Sequence, residues 1–105
     1  MSATIDPVMR RFRSALDLAY GDRIERVVLF GSRARGDARP DSDWDVAVFL
    51  KNMTDTWRES GVLAEIGTKI LLDEGAVINA TPMDSGAYRE RTIFMNEVRR
   101  EGMDL

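Results

Sequence analysis

Residues 30–46 read FGSRARGDARPDSDWDV, in which the pair Gly31-Ser32 stands ten residues before Asp43 and one residue separates Asp43 from Asp45. At average residue frequencies, four fixed residues at this spacing arise by chance in on the order of one in a thousand chains of this length. Residues 26–30 form a short apolar run that ends at Gly31, which predicts a buried strand followed by a tight turn. A polar loop is expected next, and residues 43–50 then alternate between two faces in residue types that favour a second strand.

The two aspartates of this segment predict a cation site. Residues two apart on a strand project to the same side, so the carboxylates of Asp43 and Asp45 are expected to share one face. Carboxylate oxygens are ligands that Mg²⁺ prefers, and two like charges held this close need a cation. Solvated acids at a strand edge are the plainer alternative, but paired aspartates on a buried strand are costly without a partner.

The glycine-serine turn ahead of the aspartates predicts phosphate binding. Gly31 lets the backbone approach a phosphate closely, and the hydroxyl of Ser32 with the neighbouring amides is able to donate to phosphate oxygens. Arg33 and Arg35 are expected to add charge-assisted contacts, although an ordinary solvated loop explains each arginine equally well. In nucleotidyl transfer, cations neutralise phosphate charge and stabilise the leaving pyrophosphate, so such a site catalyses largely by positioning.

Two helices are predicted on either side of these strands. Asp6 and Pro7 are a capping residue and a first-turn residue, and helical periodicity follows them over residues 7–20 until Gly21. A second helix is expected to begin after Thr54 or Asp55 and to end at Gly75.

A third strand and a last helix complete the predicted order α-β-β-α-β-α. Residues 76–80 precede Thr81 and Pro82, which predicts that the strand ends there. Asp84 or Ser85 is expected to open the last helical stretch. The loop between the first two strands is short, so the sequence predicts a small mixed sheet flanked by helices, in the α/β or α+β class. At 105 residues the chain is expected to form one domain, 1–105.

Composition excludes several classes of chemistry and partner. The chain has no cysteine and no histidine, which excludes disulfides, thiolate metal sites, catalytic triads and imidazole bases. The net charge of −3 and the dispersed arginines argue against a broad nucleic-acid surface. No apolar run is long enough for a membrane span, so a cytoplasmic protein is expected. Trp44 and Trp57 are expected to pack in or beside the core.

These features together resemble a known family. The spacing of Gly31-Ser32 and Asp43-x-Asp45 between two strands, after one helix, closely resembles the signature of the polymerase β nucleotidyltransferase superfamily. Residues 29–36 and 42–46 resemble its small prokaryotic branch, the minimal nucleotidyltransferases, almost residue for residue. The resemblance implies the fold of that family and an enzyme that transfers a nucleoside monophosphate, usually AMP from ATP, to a hydroxyl.

The resemblance also implies a set of site residues. Gly31 and Ser32 would bind the triphosphate, with Arg33, Arg35 and Ser42 as further nucleotide contacts. Two Mg²⁺ ions would bind to the catalytic pair, which is Asp43 and Asp45.

The family's third carboxylate, on the next strand, is replaced here by Asn79, whose amide oxygen coordinates weakly and cannot accept a proton. Asp73, Glu74 and Asp84 flank that strand and would substitute only if the fold carried them to the site.

Two functions remain open at this point. Many members of the small branch are similar to antitoxins that pair with a helical HEPN toxin and adenylylate it, so a HEPN-type partner or a homo-oligomer is expected to supply the acceptor. The alternative is a catalytically impaired module that binds nucleotide or neutralises a partner by covering its surface, which Asn79 favours. An antibiotic-modifying enzyme would need a further cluster of acids, and none is evident in the sequence.

Overall fold

The computed structural model describes residues 6–105 of the chain. The elements are α1 (Pro7–Tyr20), a 3₁₀ turn (Gly21–Arg23), β1 (Ile24–Phe30), α2 (Ser32–Arg35), β2 (Trp44–Leu50), α3 (Thr56–Glu74), β3 (Ile78–Asp84), a second 3₁₀ turn (Ser85–Arg89), α4 (Ile93–Glu101) and β4 (Met103–Asp104). The strands form one sheet in the order β3-β2-β1-β4. β1 is antiparallel to β2 and β4, and β2 is parallel to β3, so the predicted mixed sheet is confirmed.

The helix boundaries follow from cap residues. The Asp6 side chain accepts a hydrogen bond from the Val8 amide at 2.8 Å, and Pro7 occupies the first turn, so α1 begins where the sequence predicts. Of the two candidates for the cap of α3, Asp55 caps the helix by accepting from the Arg58 amide. Gly75 then ends α3 in the left-handed conformation, at φ 73°.

Both faces of the sheet are covered, and this determines which side of β2 faces which layer. On one face Trp44, Val46, Val48 and Leu50 pack in a core with residues of α1 and α3. On the other face Ala47 and Phe49 pack with residues of α4 and the second 3₁₀ turn. Side chains alternate along a strand, so Asp45 lies on the second face, near the N-terminal end of β2.

The third strand differs from its prediction. It begins at Ile78 and continues through Thr81 and Pro82 to Asp84, so the expectation that Thr81-Pro82 ends it is wrong. β3 is an edge strand of the sheet formed by residues 6–105. A proline is tolerated at an edge when its missing N–H points away from the neighbouring strand.

Two further differences lie in segments with local hydrogen bonds that periodicity does not reveal. The loop after β1 contains a four-residue helix, α2. The last helical stretch is interrupted: Asp84 caps a 3₁₀ turn by accepting from the Gly86 amide, and Thr92 caps a separate α4 by accepting from Met95. No helix within residues 6–105 is long and apolar enough to cross a membrane.

Candidate nucleotide and metal site

The turn between β1 and α2 brings backbone against a carboxylate. Gly31 has φ 77°, a conformation that side chains rarely allow, and a Cβ placed on it would lie 2.5 Å from Oδ2 of Asp45. Both observations require glycine at this position. Ser32 begins α2 directly after Gly31, and the first amides of a helix have no acceptor four residues before them. The amides of Ala34 and Arg35 donate to the Gly31 carbonyl oxygen, so those of Ser32 and Arg33 are the candidates to bind a phosphate next to the turn at Asp45.

Three polar side chains meet at the end of the sheet next to this turn. Asn79 is the partner of Asp45 in the parallel register of β2 and β3. Its amide nitrogen donates to Oδ2 of Asp43 at 2.9 Å and to Oδ1 of Asp45 at 3.5 Å. The two carboxylates thus share one face, and the Asn79 amide bridges them.

This donor set fits a hard divalent cation. The Asn79 N–H group, the positive end of a dipole, occupies a position between two carboxylates that would otherwise repel each other. A half-turn of the amide exchanges its nitrogen for its oxygen, and the neutral amide oxygen would then join the two carboxylates as a third ligand at the same point. Asp43 and Asn79 are exposed and Asp45 is partly exposed, so solvent reaches the site. Two carboxylates and an amide oxygen are ligands that Mg²⁺ accepts, with water in its remaining positions.

Carboxylates elsewhere do not complete the set. Asp73 and Glu74, at the end of α3, form ion pairs with Arg11 at 2.6 and 2.8 Å. Asp84 lies at the far end of β3, opposite Leu50, where it caps the second 3₁₀ turn. Within residues 6–105, no three carboxylate, histidine or cysteine side chains are grouped closely enough to hold a metal ion.

The Arg33 guanidinium holds the loop that leads to the aspartates. It lies over the Trp44 ring, 4.2 Å from the ring centroid, and donates to the carbonyl oxygens of Pro40 and Ser42 at 3.1 and 2.8 Å. Trp44 is buried, with 7% of its surface exposed, so the stack is anchored in the core. These contacts position the segment that carries Asp43, and a phosphate contact by Arg33 would have to replace them.

The other predicted nucleotide contacts also have partners in the protein. Arg35 forms ion pairs with Asp37 and Glu101, both at 3.2 Å. The hydroxyl of Ser42 accepts from the Arg39 amide at 2.8 Å. Gly31 is therefore the predicted phosphate-binding residue that the fold places directly against Asp45, and Ser32 follows it in the chain, while Arg35 and Ser42 stabilise the loop.

One tryptophan behaves differently from its prediction. Trp57, which was expected to pack in or beside the core, is 88% exposed in the first turn of α3. Its position faces away from the helix stripe formed by Leu63 and Ile70, so the amphipathic pattern of α3 does not bury it.

Comparison with known proteins identifies the family of this site. The profile of the family described as Polymerase beta, Nucleotidyltransferase matches residues 17–96, which include the glycine-serine turn, both aspartates and Asn79. The chain belongs to the polymerase β nucleotidyltransferase family. The expected enzyme class, a nucleotidyltransferase, is thereby confirmed.

Two similar family members come from Methanocaldococcus jannaschii, and both are named as candidate protein adenylyltransferases. One is 36% identical over 102 residues, which cover 95% of this chain and 96% of the relative. The other is 29% identical over 100 residues, covering 93% of this chain and 95% of the relative. The resemblance therefore extends over nearly the whole length of each pair of chains.

Solved structures share the nucleotidyltransferase fold. A nucleotidyltransferase from Sulfolobus solfataricus superposes with a TM-score of 0.66 at 17% identity, covering 92% of this chain and 75% of that one. A toxin-antitoxin structure with AMP-PNP superposes with a TM-score of 0.65 at 18% identity, covering 90% of this chain and 69% of that one. A structure of a tri-AMPylated HEPN toxin from Shewanella oneidensis in complex with an MNT antitoxin superposes with a TM-score of 0.55 at 15% identity, covering 92% of this chain and 70% of that one.

Proposed function

We propose that this nucleotidyltransferase transfers AMP from ATP, with Mg²⁺, to a hydroxyl group of a partner protein. The observation that carries the proposal is the meeting of the Asp43 and Asp45 carboxylates with the backbone of Gly31, since triphosphate and cation need anchors within one short distance of each other. The names of the two archaeal relatives, both candidate protein adenylyltransferases, support AMP as the transferred group and protein as the acceptor.

Each residue of the site has a proposed part in the reaction. Bound Mg²⁺ would supply charge neutralisation on the phosphates, and Asp43, Asp45 and the amide oxygen of Asn79 would hold it. The Ser32 hydroxyl and the backbone amides of Ser32 and Arg33 would donate to the triphosphate oxygens. Arg33 would act as a positioning residue through Trp44 and the loop.

The proposed transfer has a simple balance. The acceptor oxygen attacks the α-phosphorus, a phosphorus–oxygen bond forms to the acceptor, and the bond to the oxygen that bridges the α- and β-phosphates breaks. Pyrophosphate leaves, and the hydroxyl proton passes to a carboxylate of the site or to water. Because Asn79 cannot accept a proton, Asp43 or Asp45 would have to fulfil any role as base.

A toxin of the HEPN class is the partner that we propose. Structures with the same fold include a toxin-antitoxin with AMP-PNP and a HEPN toxin that carries AMP groups in complex with an MNT antitoxin. The protein would then act as an antitoxin that inactivates its partner by adenylylation. A second copy of the chain is the other source of an acceptor hydroxyl.

Mass spectrometry of the partner tests this function. The protein is co-expressed with the product of the neighbouring gene, and the purified mixture is incubated with ATP and Mg²⁺. We expect a mass increase of one or more AMP groups on the partner, and none with Asp43→Asn. An unmodified partner together with an unmodified second copy of the chain would contradict transfer to protein.

A second candidate function is favoured by Asn79. The amide already bridges the two carboxylates, so the site is internally paired without a third acid. A module that neutralises its partner by covering it would need no transfer at all. In that case Asp43→Asn would leave neutralisation of the partner intact, whereas adenylylation predicts that this variant no longer protects cells from the toxin.

A further inference from the structure

The outer edge of β3 runs directly past the candidate site. Within residues 6–105 β3 pairs with β2 on one side only, so its other side presents backbone groups that the sheet does not use. Such an edge is a template for an additional extended chain, and proteins usually blunt it. Here the edge begins at Ile78, one residue before Asn79.

The direction of each backbone group on β3 follows from the register. The amide of Trp44 donates to the carbonyl oxygen of Val77 at 2.9 Å, so the backbone groups of Val77 face β2. Backbone groups alternate along a strand, and Asn79 and Thr81 therefore also face β2. The N–H and C=O groups of residues 78 and 80 and the carbonyl of residue 82 point to the open side.

Pro82 limits the length of this edge. Its missing N–H falls at an outward-facing position, so the proline costs the sheet nothing and removes one donor from the edge. The usable stretch thus consists of Ile78 and Ala80, on either side of Asn79. The edge is therefore open beside Asn79 and interrupted at Pro82.

The two sides of this open stretch differ in chemistry. On the α3 side lies a groove of about 350 Å³, lined by Ser60, Leu63 and Ala64 of the helix and by residues 78–81 of the strand. On the opposite side of the sheet, the Asn79 side chain contacts Asp43 and Asp45. A strand added here would place alternate side chains in this groove of mixed polarity and on the face that carries the Asn79 side chain.

We propose that the acceptor protein docks as an extended segment that pairs antiparallel with Ile78 and Ala80 at the outer edge of β3. In that pairing the guest residue opposite Asn79 forms a non-hydrogen-bonded pair, with Cα atoms about 4.5 Å apart and side chains on the same face. Its hydroxyl-bearing side chain thereby lies beside Asn79, with β3 between its backbone and Asp45, so a long side chain such as that of tyrosine is needed to reach the carboxylates. The guest residues on either side of it are small and enter the groove beside α3. The inference rests on the proposed function for the identity of the reaction, but not for the binding itself.

Hydrogen exchange tests the docking without relying on catalysis. The probe is a synthetic peptide of about ten residues in which valine alternates with hydroxyl-bearing serine and tyrosine, and the control peptide is N-methylated on alternate amides so that it cannot pair. We expect the first peptide to slow exchange of the Ile78 and Ala80 amides and the control to have no effect. Unchanged exchange at both amides, at peptide concentrations that saturate any transfer, would overturn the proposal.

A pair of variants tests the same edge in the reaction. Ala80→Pro removes an N–H that points away from β2. The hydrogen bonds between β2 and β3 do not use this group, so they stay intact, as they do at Pro82. We expect kcat/KM for the acceptor to fall roughly five- to tenfold or more, the loss expected for one hydrogen bond with added steric exclusion. Calorimetric binding of an ATP analogue should remain as in the unmodified protein, which shows that the variant is folded. Pro82→Ala, which restores a donor, should transfer at least as well as the unmodified protein.

The outcomes separate the docking from the proposed function. Protection of Ile78 and Ala80 by the peptide, together with a partner protein and a second copy of the chain that both stay unmodified with ATP and Mg²⁺, would support the docking surface and contradict the adenylylation. Transfer that Ala80→Pro leaves unchanged, with no protection of either amide, would overturn the docking surface and leave the adenylylation standing.

Discussion

The carboxylates at the two ends of the sheet lie in opposite environments. At the end where β1 starts and β2 ends, Glu59 is buried, with 4% of its surface exposed, and it accepts from the Tyr20 hydroxyl and the Arg23 guanidinium, both at 3.0 Å. At the other end, Asp43 and Asp45 share one amide of Asn79. No ion pair to either aspartate is present in the part of the chain from residue 6 onward.

The difference separates a structural acid from a functional pair. A buried carboxylate that has a guanidinium and a hydroxyl as partners is satisfied, so its negative charge attracts nothing further. Asp43 is exposed and Asp45 is partly exposed, and the neutral amide that they share does not offset their charge, so this charge is available to a cation. Two uncompensated carboxylates that are held together by one amide, more than the number of acids, distinguish the candidate site.

The largest effect is expected from Asp45→Asn. Removing a metal ligand should lower the rate of AMP transfer by about three orders of magnitude or more, measured as single-turnover transfer from labelled ATP. The same change relieves repulsion between Asp43 and Asp45, so the free energy of unfolding without Mg²⁺ should stay the same or rise by up to about 1 kcal/mol. A variant that loses both transfer and stability would mean that the aspartates are structural, like Glu59.

A pair of glycine variants tests the contact at the turn. Gly31 and Gly36 both have positive φ, at 77° and 86°, but a Cβ meets Asp45 only at Gly31 and meets nothing within 4 Å at Gly36. Gly36→Ala, in the left-handed region at ψ 10°, should cost about 1–2 kcal/mol of stability, and Gly31→Ala should cost more, about 2–3 kcal/mol, because ψ −159° places Gly31 in a region that essentially only glycine adopts. Only Gly31→Ala should also displace the carboxylate, lowering transfer per folded molecule roughly tenfold to a hundredfold. Equal transfer by the two variants would contradict the importance of this contact.

The sheet and its principal helices were predictable from the sequence for local reasons. The caps Asp6 and Asp55 and the apolar alternation of β2 are local signals, and the structure follows them closely. The end of β3 was not predictable, because Pro82 normally ends a strand and only the position of that strand at the edge permits it. The short helix α2 was also missed, since four residues leave no periodicity to detect.

At the opposite end of the sheet, a substitution of Glu59 is expected to change stability and not transfer. Glu59→Gln keeps the shape of the side chain but removes the charge that pairs with Arg23, so the free energy of unfolding should fall by about 1–3 kcal/mol. Transfer per folded molecule should not change. Glu65→Gln, an exposed glutamate on the same helix, is the control and should lie within about 0.5 kcal/mol of the unmodified protein. Denaturant unfolding measures both variants.

A smaller effect is expected at alkaline pH. Burial, followed by the hydrogen bond to Glu59, raises the pKa of Tyr20 well above its usual value. The folded state therefore keeps the phenol proton while the unfolded chain releases it above about pH 10. The stability that this proton contributes is complete below about pH 10 and is lost as the pH rises further. In guanidinium unfolding between pH 8 and 11, the free energy of unfolding should fall less steeply with pH in Tyr20→Phe than in the unmodified protein. An equally steep fall in both proteins would exclude Tyr20 as the source of the pH dependence.

The site was predictable in composition but only partly in geometry. The spacing of Gly31, Asp43 and Asp45 along the sequence indicated a nucleotide and metal site, because the strand period places both carboxylates on one face. Whether Asn79 reaches them depends on the parallel register of β2 and β3, a contact across more than 30 residues that no local pattern determines. The stacking of Arg33 on Trp44 likewise depends on the loop closing, so its positioning role was not evident.

Calorimetric titration with a non-hydrolysable ATP analogue, with and without Mg²⁺, tests most directly whether the uncompensated aspartates form the nucleotide site. We expect binding that requires Mg²⁺ in the unmodified protein and in Glu59→Gln, and loss of that binding in Asp43→Asn and Asp45→Asn. Binding of equal strength in all four proteins, or binding that is indifferent to Mg²⁺, would contradict the assignment of Asp43 and Asp45 to the site.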